Sequence, residues 1–452
     1  MFYANCSTYT KELVMVVIAR KILHPAQSLL QSQVIKNFFI FSFGSLLRQG
    51  ISLIMSPITL SILTPSDYGL LALANSFISV ITVFVGMGLR QSFQLDYFHC
   101  TPQERKKLIN DNIIIYLLVS TPLFVLLSCF YRKINTVIFI DSASYKLIFM
   151  SLLVSFIYFF VEFFYQVLKY QCNAKKIALL QVSIALLTVG LNVFFLLYLQ
   201  CGVASILCAQ AVGMLVVTFI ALKTYIKKNC FAFFDMQRST QNITNYIARG
   251  LPFIPSVLFA WILSCGDRWI LAHYSNLHNV GIYSLANSFS QLFQLLILYP
   301  MTASYIPHVL NTFAQKKDQI HTLEQINKKT MIVCMTLVTI TITVGFICTK
   351  SFLYTLLPTR YHEAINYIWL LLMGYVFLLG TYFSTILIQF KQKRLFTAFA
   401  FITPAILNIL LNILLIPHFA IYGCVIATFS SYAAYFALTL WYNKRLTPAN
   451  NL

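Results

Sequence analysis

Long apolar runs recur along the chain from about residue 35 onwards, and short polar segments separate them. Such a run can cross the hydrocarbon core of a bilayer, which is about 30 Å thick and takes roughly 20 helical residues. Only 10% of the 452 residues are charged, and the mean hydropathy is +0.77. A soluble domain carries about a quarter charged residues. The chain therefore has too few charges for a water-facing surface, and lipid must be its main solvent.

These runs predict an all-α membrane protein with about twelve transmembrane helices, because a helix satisfies its own backbone hydrogen bonds in lipid. The predicted spans lie near residues 37–63, 68–90, 112–130, 147–168, 177–199, 202–222, 251–273, 281–305, 330–349, 364–389, 395–416 and 420–442. We expect a cytoplasmic N-terminal tail over residues 1–35, a six-helix N-terminal lobe over 36–230 and a six-helix C-terminal lobe over 231–445.

Basic residues give the expected orientation. The chain has 32 Lys and Arg against 12 Asp and Glu, and most of the basic residues fall in loops on the side that holds the N-terminus. The loops on the opposite side contain only Arg132, Lys133, Lys146, Arg268, Lys350 and Arg360. Since loops rich in Lys and Arg stay in the cytoplasm, both termini are expected there. The positive charge is thereby explained without a nucleic-acid partner, and none is expected.

An internal repeat relates the two halves of the chain. Residues 68–77 read Tyr-Gly-Leu-Leu-Ala-Leu-Ala-Asn-Ser-Phe, and residues 280–289 read Val-Gly-Ile-Tyr-Ser-Leu-Ala-Asn-Ser-Phe. Both segments open the second helix of a six-helix half. Because six is even, the two halves enter the membrane from the same side, as parallel repeats do. Two lobes around a cavity at the bilayer midplane form a transporter architecture.

Four motifs carry a resemblance to a known family. They are Leu63-Thr-Pro-Ser-Asp-Tyr-Gly-Leu70, Gly250-Leu-Pro-Phe253, Gly266-Asp-Arg-Trp-Ile-Leu271, and Asn408-Ile-Leu-Leu-Asn-Ile-Leu-Leu-Ile-Pro417 followed by Gly423. With these motifs in order, residues 35–445 resemble the polysaccharide (O-antigen, Wzx-type) flippases of the multidrug/oligosaccharidyl-lipid/polysaccharide (MOP) exporter superfamily.

The resemblance implies a flippase that works by alternating access, without ATP hydrolysis. Its substrate would be a lipid-linked (polyprenyl-diphosphate) oligosaccharide for O-antigen, lipopolysaccharide or exopolysaccharide biosynthesis, carried across the bacterial inner membrane. Membrane lipids and a polysaccharide polymerase or ligase are the expected partners, with a monomer as the default state. No cofactor is expected. The 11 Cys are scattered singly without metal-ligand spacing, so they read as small buried hydrophobic residues, and no metal site is expected.

Arg48 is the most informative candidate site residue, because it lies deep within the first apolar run. A charge at that depth costs on the order of 3 kcal/mol on insertion scales. It should therefore face a cavity, where its paired N–H donors would bind the phosphates of the substrate. The alternative is a structural role, in which Arg48 bonds backbone carbonyls or pairs with an acid.

Four further residues are candidates for the same cavity, and Glu162 is a candidate coupling group or charge partner. Asp267 and Arg268, near the outer end of the seventh helix, form a gate, a cavity lining or an interfacial structural pair. Glu162 is a candidate proton carrier, or a partner for Lys169 through water. Asn75 and Asn287, related by the repeat, hydrogen-bond between helices or contact sugar.

Two other classes of protein were weighed against the flippase. A cation-coupled multidrug exporter of the same superfamily would need carboxylates at the midplane, whereas the first helix carries Arg48. A membrane polymerase, ligase or glycosyltransferase would need a large outer loop with catalytic groups. The outer loops contain Asp141 and Glu363 but no paired carboxylates, nucleophile–His arrangement or phosphate-binding Gly loop. The prediction is a transporter, not an enzyme.

Overall fold

A computed structural model describes residues 44–446 except 45–46, 49, 52–54, 87–88, 90–92, 94–95, 98–100, 172–173, 200–201, 230–249, 252–253, 299–304, 307–308, 311, 314, 316–318 and 392. Within this part of the chain the regular structure is helical throughout. Nine of its helices are long and apolar enough to cross a bilayer. The predicted all-α membrane fold is confirmed.

The N-terminal lobe contains helices α1 to α6. Helix α1 is described at positions within 44–62. The helices that follow are α2 (Pro65–Gly86), α3 (Pro102–Cys129), α4 (Tyr145–Tyr170), α5 (Ala174–Phe194) and α6 (Val203–Asn229). A short helix, Tyr131–Ile134, and a π-helical segment, Asn135–Phe139, connect α3 to α4, and α5 ends in a second π-helical segment, Phe195–Leu199.

The C-terminal lobe repeats this order. Helix α7 consists of two α-helical segments, Ile254–Trp261 and Asp267–Tyr274, joined by the π-helical segment Ile262–Gly266. Helix α8 (Leu277–Phe293) continues as the π-helical segment Gln294–Leu298. The remaining helices are α9 (Ile320–Leu356), α10 (Ile365–Phe390, after the 3₁₀ segment Thr359–Ala364), α11 (Arg394–Phe419) and α12 (Ile421–Leu446).

Each of the twelve predicted spans overlaps one of these helices, although the first and last residues differ. The predicted lobe boundaries at 35–36 and 230–231 lie outside the described residues, as does the tail, and these assignments stay predictions. The distal end of the molecule is defined here as the end where α1 meets α2, α7 meets α8 and α9 meets α10. The proximal end is the opposite one, where α12 ends.

The motif that opens α2 is explained by its hydrogen bonds. The Thr64 backbone N–H donates to an Asp67 carboxylate oxygen at 3.1 Å, and the Asp67 N–H donates to the Thr64 hydroxyl oxygen at 3.2 Å. This reciprocal pair satisfies backbone donors that a helix start leaves open. At the start of α8 the Asn279 N–H donates to the Asn276 side chain at 2.8 Å. Thr64 and Asn276 are separated by the repeat offset, so both halves begin their second helix at the same repeat position.

The lobes cross most closely where α2 meets α8. A Cβ atom on Gly69 would overlap the Leu277 carbonyl oxygen, and one on Gly281 would overlap the Pro65 carbonyl oxygen. Pro65 corresponds to Leu277 in the repeat, and Gly69 corresponds to Gly281. The contact is therefore pseudo-twofold symmetric, and at both positions only glycine lets the two backbones approach this closely.

The buried apolar side chains show how the lobes are arranged. The largest core cluster lies in the distal half and contains residues of both lobes, among them Leu73, Leu152, Tyr283 and Tyr361. Toward the proximal end, each cluster formed by the described residues stays within one lobe. The lobes are therefore packed together at the distal end, and their cores separate toward the proximal end.

Substituting the crossing glycines should open the distal end. Gly69→Ala or Gly281→Ala places a methyl group against a backbone carbonyl, and such overpacking costs about 1–3 kcal/mol. Spin labels on Ser66 and His278, exposed residues of α2 and α8, should then report longer distances between the lobes.

Gly190→Ala is the matched control, because a Cβ on Gly190 in α5 meets nothing within 4 Å. Unchanged label distances in both crossing variants would show that this contact does not hold the distal end closed.

Candidate functional site

Arg48 has an exposed side chain within α1. It lies about 21 Å from the distal end of this helix at roughly 1.5 Å per residue, which is near the middle of a bilayer core. Gly44, one turn earlier on the same side of α1, is packed so closely that a Cβ there would come 2.6 Å from the Ala178 Cβ of α5. The side of α1 that carries Arg48 thus faces the other helices of the N-terminal lobe.

Two groups of α4 accompany Arg48. The Tyr165 side chain interacts electrostatically with both Arg48 and Glu162, and Glu162 and Tyr165 are half-buried. Arg48 and Glu162 thus both lie within electrostatic range of Tyr165, and Arg48 is exposed, so the structural and the cavity roles both stay open. We call Arg48, Glu162 and Tyr165 the charged wall of the N-terminal lobe.

The repeat-related asparagines lie in different surroundings. Asn75, about 15 Å along α2 from its distal start, is exposed, whereas Asn287 in α8 is 5% exposed. The two asparagines are therefore identical in the repeat but differ in how deeply their side chains are buried. Asn75 is available to a ligand in this conformation, and Asn287 is part of the packed C-terminal lobe.

Two tryptophans of α7 tie the C-terminal lobe to α2. The Trp261 indole N–H donates to the Ser79 hydroxyl oxygen at 2.8 Å and approaches the Ser76 carbonyl oxygen at 3.2 Å. The Trp269 indole N–H donates to the Ser76 hydroxyl oxygen at 2.7 Å. The two rings meet edge to face, with centroids 4.9 Å apart. These are direct polar contacts between the lobes.

Asp267 belongs to a buried polar cluster inside the C-terminal lobe. It is 2% exposed and accepts hydrogen bonds from the Tyr283 hydroxyl of α8 and, at 2.8 Å, from the Arg268 backbone N–H. The Tyr283 oxygen also lies 3.5 Å from the Thr428 hydroxyl of α12. Asp267 thus joins three helices of one lobe, and in this conformation it does not line an open cavity.

Arg268 lies at the junction of the lobes. It is 8% exposed, its Nη1 lies 3.6 Å from the Cys265 sulfur, and its Nε is buried without a hydrogen-bond acceptor. It interacts electrostatically with Asp267 and with Tyr68 of α2, in the other lobe. Asp267 and Arg268 are thus within electrostatic range of each other, and the choice between a gate, a cavity lining and an interfacial structural pair stays a prediction.

The segment between α9 and α10 closes over the end of α1. Arg360 Nη2 donates to the Leu60 carbonyl oxygen at 2.7 Å and to the Ser61 carbonyl oxygen at 2.6 Å. The Tyr361 hydroxyl donates to the Leu63 carbonyl oxygen at 3.0 Å. A cation at a helix C-terminus satisfies open carbonyls and interacts favourably with the helix dipole. We call Arg360 and Tyr361 the distal clamp.

Sequence reasoning did not select the clamp or the tryptophans. Arg360 entered only as one of the few basic residues on the distal side, and Trp261 and Trp269 lie in an apolar run where aromatic residues are ordinary. The repeat offers a signal for Tyr283, which is two residues after the crossing glycine Gly281. Among the described residues, no group of three or more His, Cys, Asp or Glu side chains could hold a metal ion.

Two lobes of membrane helices, packed at one end with their cores separating toward the other, define a two-lobed membrane transporter. The sequence model of the family described as polysaccharide biosynthesis protein matches residues 34–313. The chain belongs to this family, a flippase family of the MOP superfamily. A search of curated proteins finds no significant match.

Solved structures share the fold. The lipid II flippase MurJ in an inward closed conformation has a TM-score of 0.72 at 14% identity, over 90% of this chain and 87% of MurJ. A multidrug resistance MATE family transporter of the MOP superfamily in an inward-facing conformation has a TM-score of 0.66 at 15% identity, over 88% of this chain and 94% of the MATE transporter. A MOP superfamily transporter from Pyrococcus furiosus, described as having a binding pocket of reverse polarity, has a TM-score of 0.60 at 16% identity, over 91% and 95%.

Removing the clamp should weaken distal closure. Arg360→Ala deletes two charge-assisted hydrogen bonds to α1, and for this exposed side chain the loss should be about 1 kcal/mol. The distance distribution between spin labels on Ser66 and His278 should shift toward the open state. Lys350→Ala is the control, since Lys350 is another exposed distal cation, and an equal shift in that variant would argue against a specific role for Arg360.

Tyr283→Phe should destabilise the C-terminal lobe, because it removes the hydroxyl that donates to the Oδ2 atom of the buried Asp267 carboxylate. We expect a loss of about 1–3 kcal/mol, measured as a lower melting temperature in detergent. In a double-mutant cycle with Asp267→Asn the two effects should be strongly non-additive. Additive effects would mean that the Tyr283–Asp267 bond contributes little to stability.

Proposed function

We propose that the chain is a flippase that moves a lipid-linked, polyprenyl-diphosphate oligosaccharide from the cytoplasmic to the outer leaflet by alternating access. The observation that carries this proposal is that Arg48, near the middle of the membrane, is an exposed residue. Such a charge is tolerated where it faces water or an anion. Its planar, paired N–H donors suit phosphate oxygens better than a point charge does.

The separation of the two lobe cores supports a route for the substrate. The cores separate toward the proximal end, which holds most of the loop Lys and Arg and is therefore assigned to the cytoplasm. A headgroup would enter from that side, between the lobes, and reach the charged wall. Opening the distal end then requires breaking the clamp, the indole bonds and the α2–α8 crossing. Both termini would lie in the cytoplasm, and the membrane would be the bacterial inner membrane.

Energy for this cycle need not come from a bound nucleotide. A membrane potential that is negative inside favours outward movement of an anion by about 2.3 kcal/mol per charge per 100 mV. Consumption of the product by a polymerase or ligase on the outer side, in O-antigen, lipopolysaccharide or exopolysaccharide assembly, would draw the cycle forward. Glu162, which like Arg48 acts electrostatically on Tyr165, is the candidate for a coupling group or for a charge partner of Arg48.

The MATE-type neighbours make a cation-coupled multidrug exporter the natural alternative. A cationic drug would require exposed carboxylates at midplane depth. Of the two candidate acids, Asp267 is buried and bonded to Tyr283, and Glu162 is half-buried within electrostatic range of Tyr165, as Arg48 is. The accessible charge at this depth is positive, which favours an anionic substrate over a cationic one.

Arg48→Ala should insert normally and yet lose transport. We expect surface polysaccharide to fall at least tenfold in a complemented flippase-null strain, because the phosphate ligand is lost. Arg48→Lys should retain part of the activity through its charge. Arg132→Ala, an exposed arginine on the distal side, is the control. Wild-type polysaccharide levels with Arg48→Ala would remove Arg48 from the transport site.

A further inference from the structure

Trp261 lies at the same depth as Arg48 but on the opposite lobe. Arg48 is about 21 Å from the distal end of α1, and Trp261 is about 20 Å from the distal end of α7. In the repeat, α1 and α7 are the corresponding first helices of their lobes. A charged wall on the N-terminal lobe and an indole on the C-terminal lobe are therefore present at one level of the molecule.

The indole of Trp261 adjoins a surface of α2 that must face water. Its N–H is bonded to Ser79, and Asn75 lies one helical turn before Ser79 on the same side of α2. Asn75 is exposed about 15 Å from the distal start of α2. A primary amide exposed to hydrocarbon at this depth is strongly unfavourable. The side of α2 that carries Asn75 and Ser79 therefore faces water between the lobes, and the half-buried Trp261 ring borders it.

The ring is also held in a fixed orientation. The hydrogen bond to Ser79 uses the indole N–H, and Trp269 contacts the ring edge to face while its own N–H is bonded to Ser76. With its polar N–H already bonded, the half-buried ring can contact a ligand through the carbon surface it leaves exposed, and a fixed ring loses little entropy on binding.

A sugar ring is the chemical partner that suits this arrangement. One face of a pyranose presents several C–H groups, which carry partial positive charge and pack against the negative face of an indole. Its hydroxyls need donors and acceptors of the amide type, which Asn75 supplies. We propose that Trp261 and Asn75 form a sugar-binding subsite that holds a pyranose ring of the substrate while Arg48, on the other lobe, holds the diphosphate. This inference rests on the proposed flippase function.

Two probes separate the sugar contact from the phosphate contact. Purified protein in nanodiscs is titrated with undecaprenyl diphosphate and with undecaprenyl diphosphate that carries one N-acetylglucosamine. The wild type should bind the glycosylated lipid more tightly. Trp261→Ala should weaken that binding roughly 3- to 10-fold, the range expected for loss of an aromatic stacking contact, and should leave the bare lipid within twofold. Arg48→Ala should weaken both.

Two variants separate a subsite from a contact between the lobes. Trp261→Phe keeps an aromatic face but loses the N–H bond to Ser79, and it should retain most of the preference for the glycosylated lipid. Trp369→Ala removes an exposed tryptophan of α10 and should change neither affinity.

The outcomes distinguish the two proposals. Equal wild-type affinity for both lipids, or an equal effect of Trp261→Ala on both, would overturn the sugar subsite and leave the flippase proposal standing. A loss in Trp261→Phe as large as in Trp261→Ala would also overturn it, because the N–H bond would then be the part that matters. Absence of binding to either lipid by the wild type would overturn the flippase proposal itself.

Discussion

The contact between α2 and α8 is the constraint on which the rest of the arrangement depends. Because Gly69 and Gly281 have no Cβ, the two backbones approach so closely that an added Cβ would overlap a backbone carbonyl oxygen of the other helix. This brings Ser76 and Ser79 within reach of the α7 indoles, and it brings the end of α1 within reach of Arg360. The polar contacts around the crossing are individually modest. They form because the close approach of the two helices has already placed the groups together.

The strongest interactions and the exposed charges occupy different levels of the molecule. The distal half holds the shared apolar core, the clamp and the Asp267–Tyr283 bond. Arg48 and Trp261 lie deeper, where the lobes begin to separate. A carrier needs this division, because a binding group must stay accessible while the closed end is stable. A gate built from several weak bonds can also open without the full cost of one strong interaction.

Much of the fold could be predicted from the sequence, because particular residues and runs carry a physical signal. Hydrocarbon thickness sets the length of each apolar run, so the helices could be counted. The repeat identified Gly69 and Gly281 as corresponding residues, and a lone arginine in an apolar run identified Arg48. Arg360 and Trp261 could not be found in this way, because their partners are about 300 and 180 residues distant in the chain and only the packing of the lobes brings them together. The repeat also gave no sign that Asn75 would be exposed and Asn287 buried.

The glycine crossing has a consequence for the history of the chain. Gly69 meets Leu277, and their counterparts Gly281 and Pro65 make the same contact in reverse, which is the isologous kind of interface found in twofold dimers. In a homodimer of one six-helix unit, each subunit would supply one such glycine and one such carbonyl, and the twofold axis would form the contact twice. Joining two copies end to end would preserve it without a new residue, provided that each copy enters the membrane from the same side. An even number of helices per copy meets that condition.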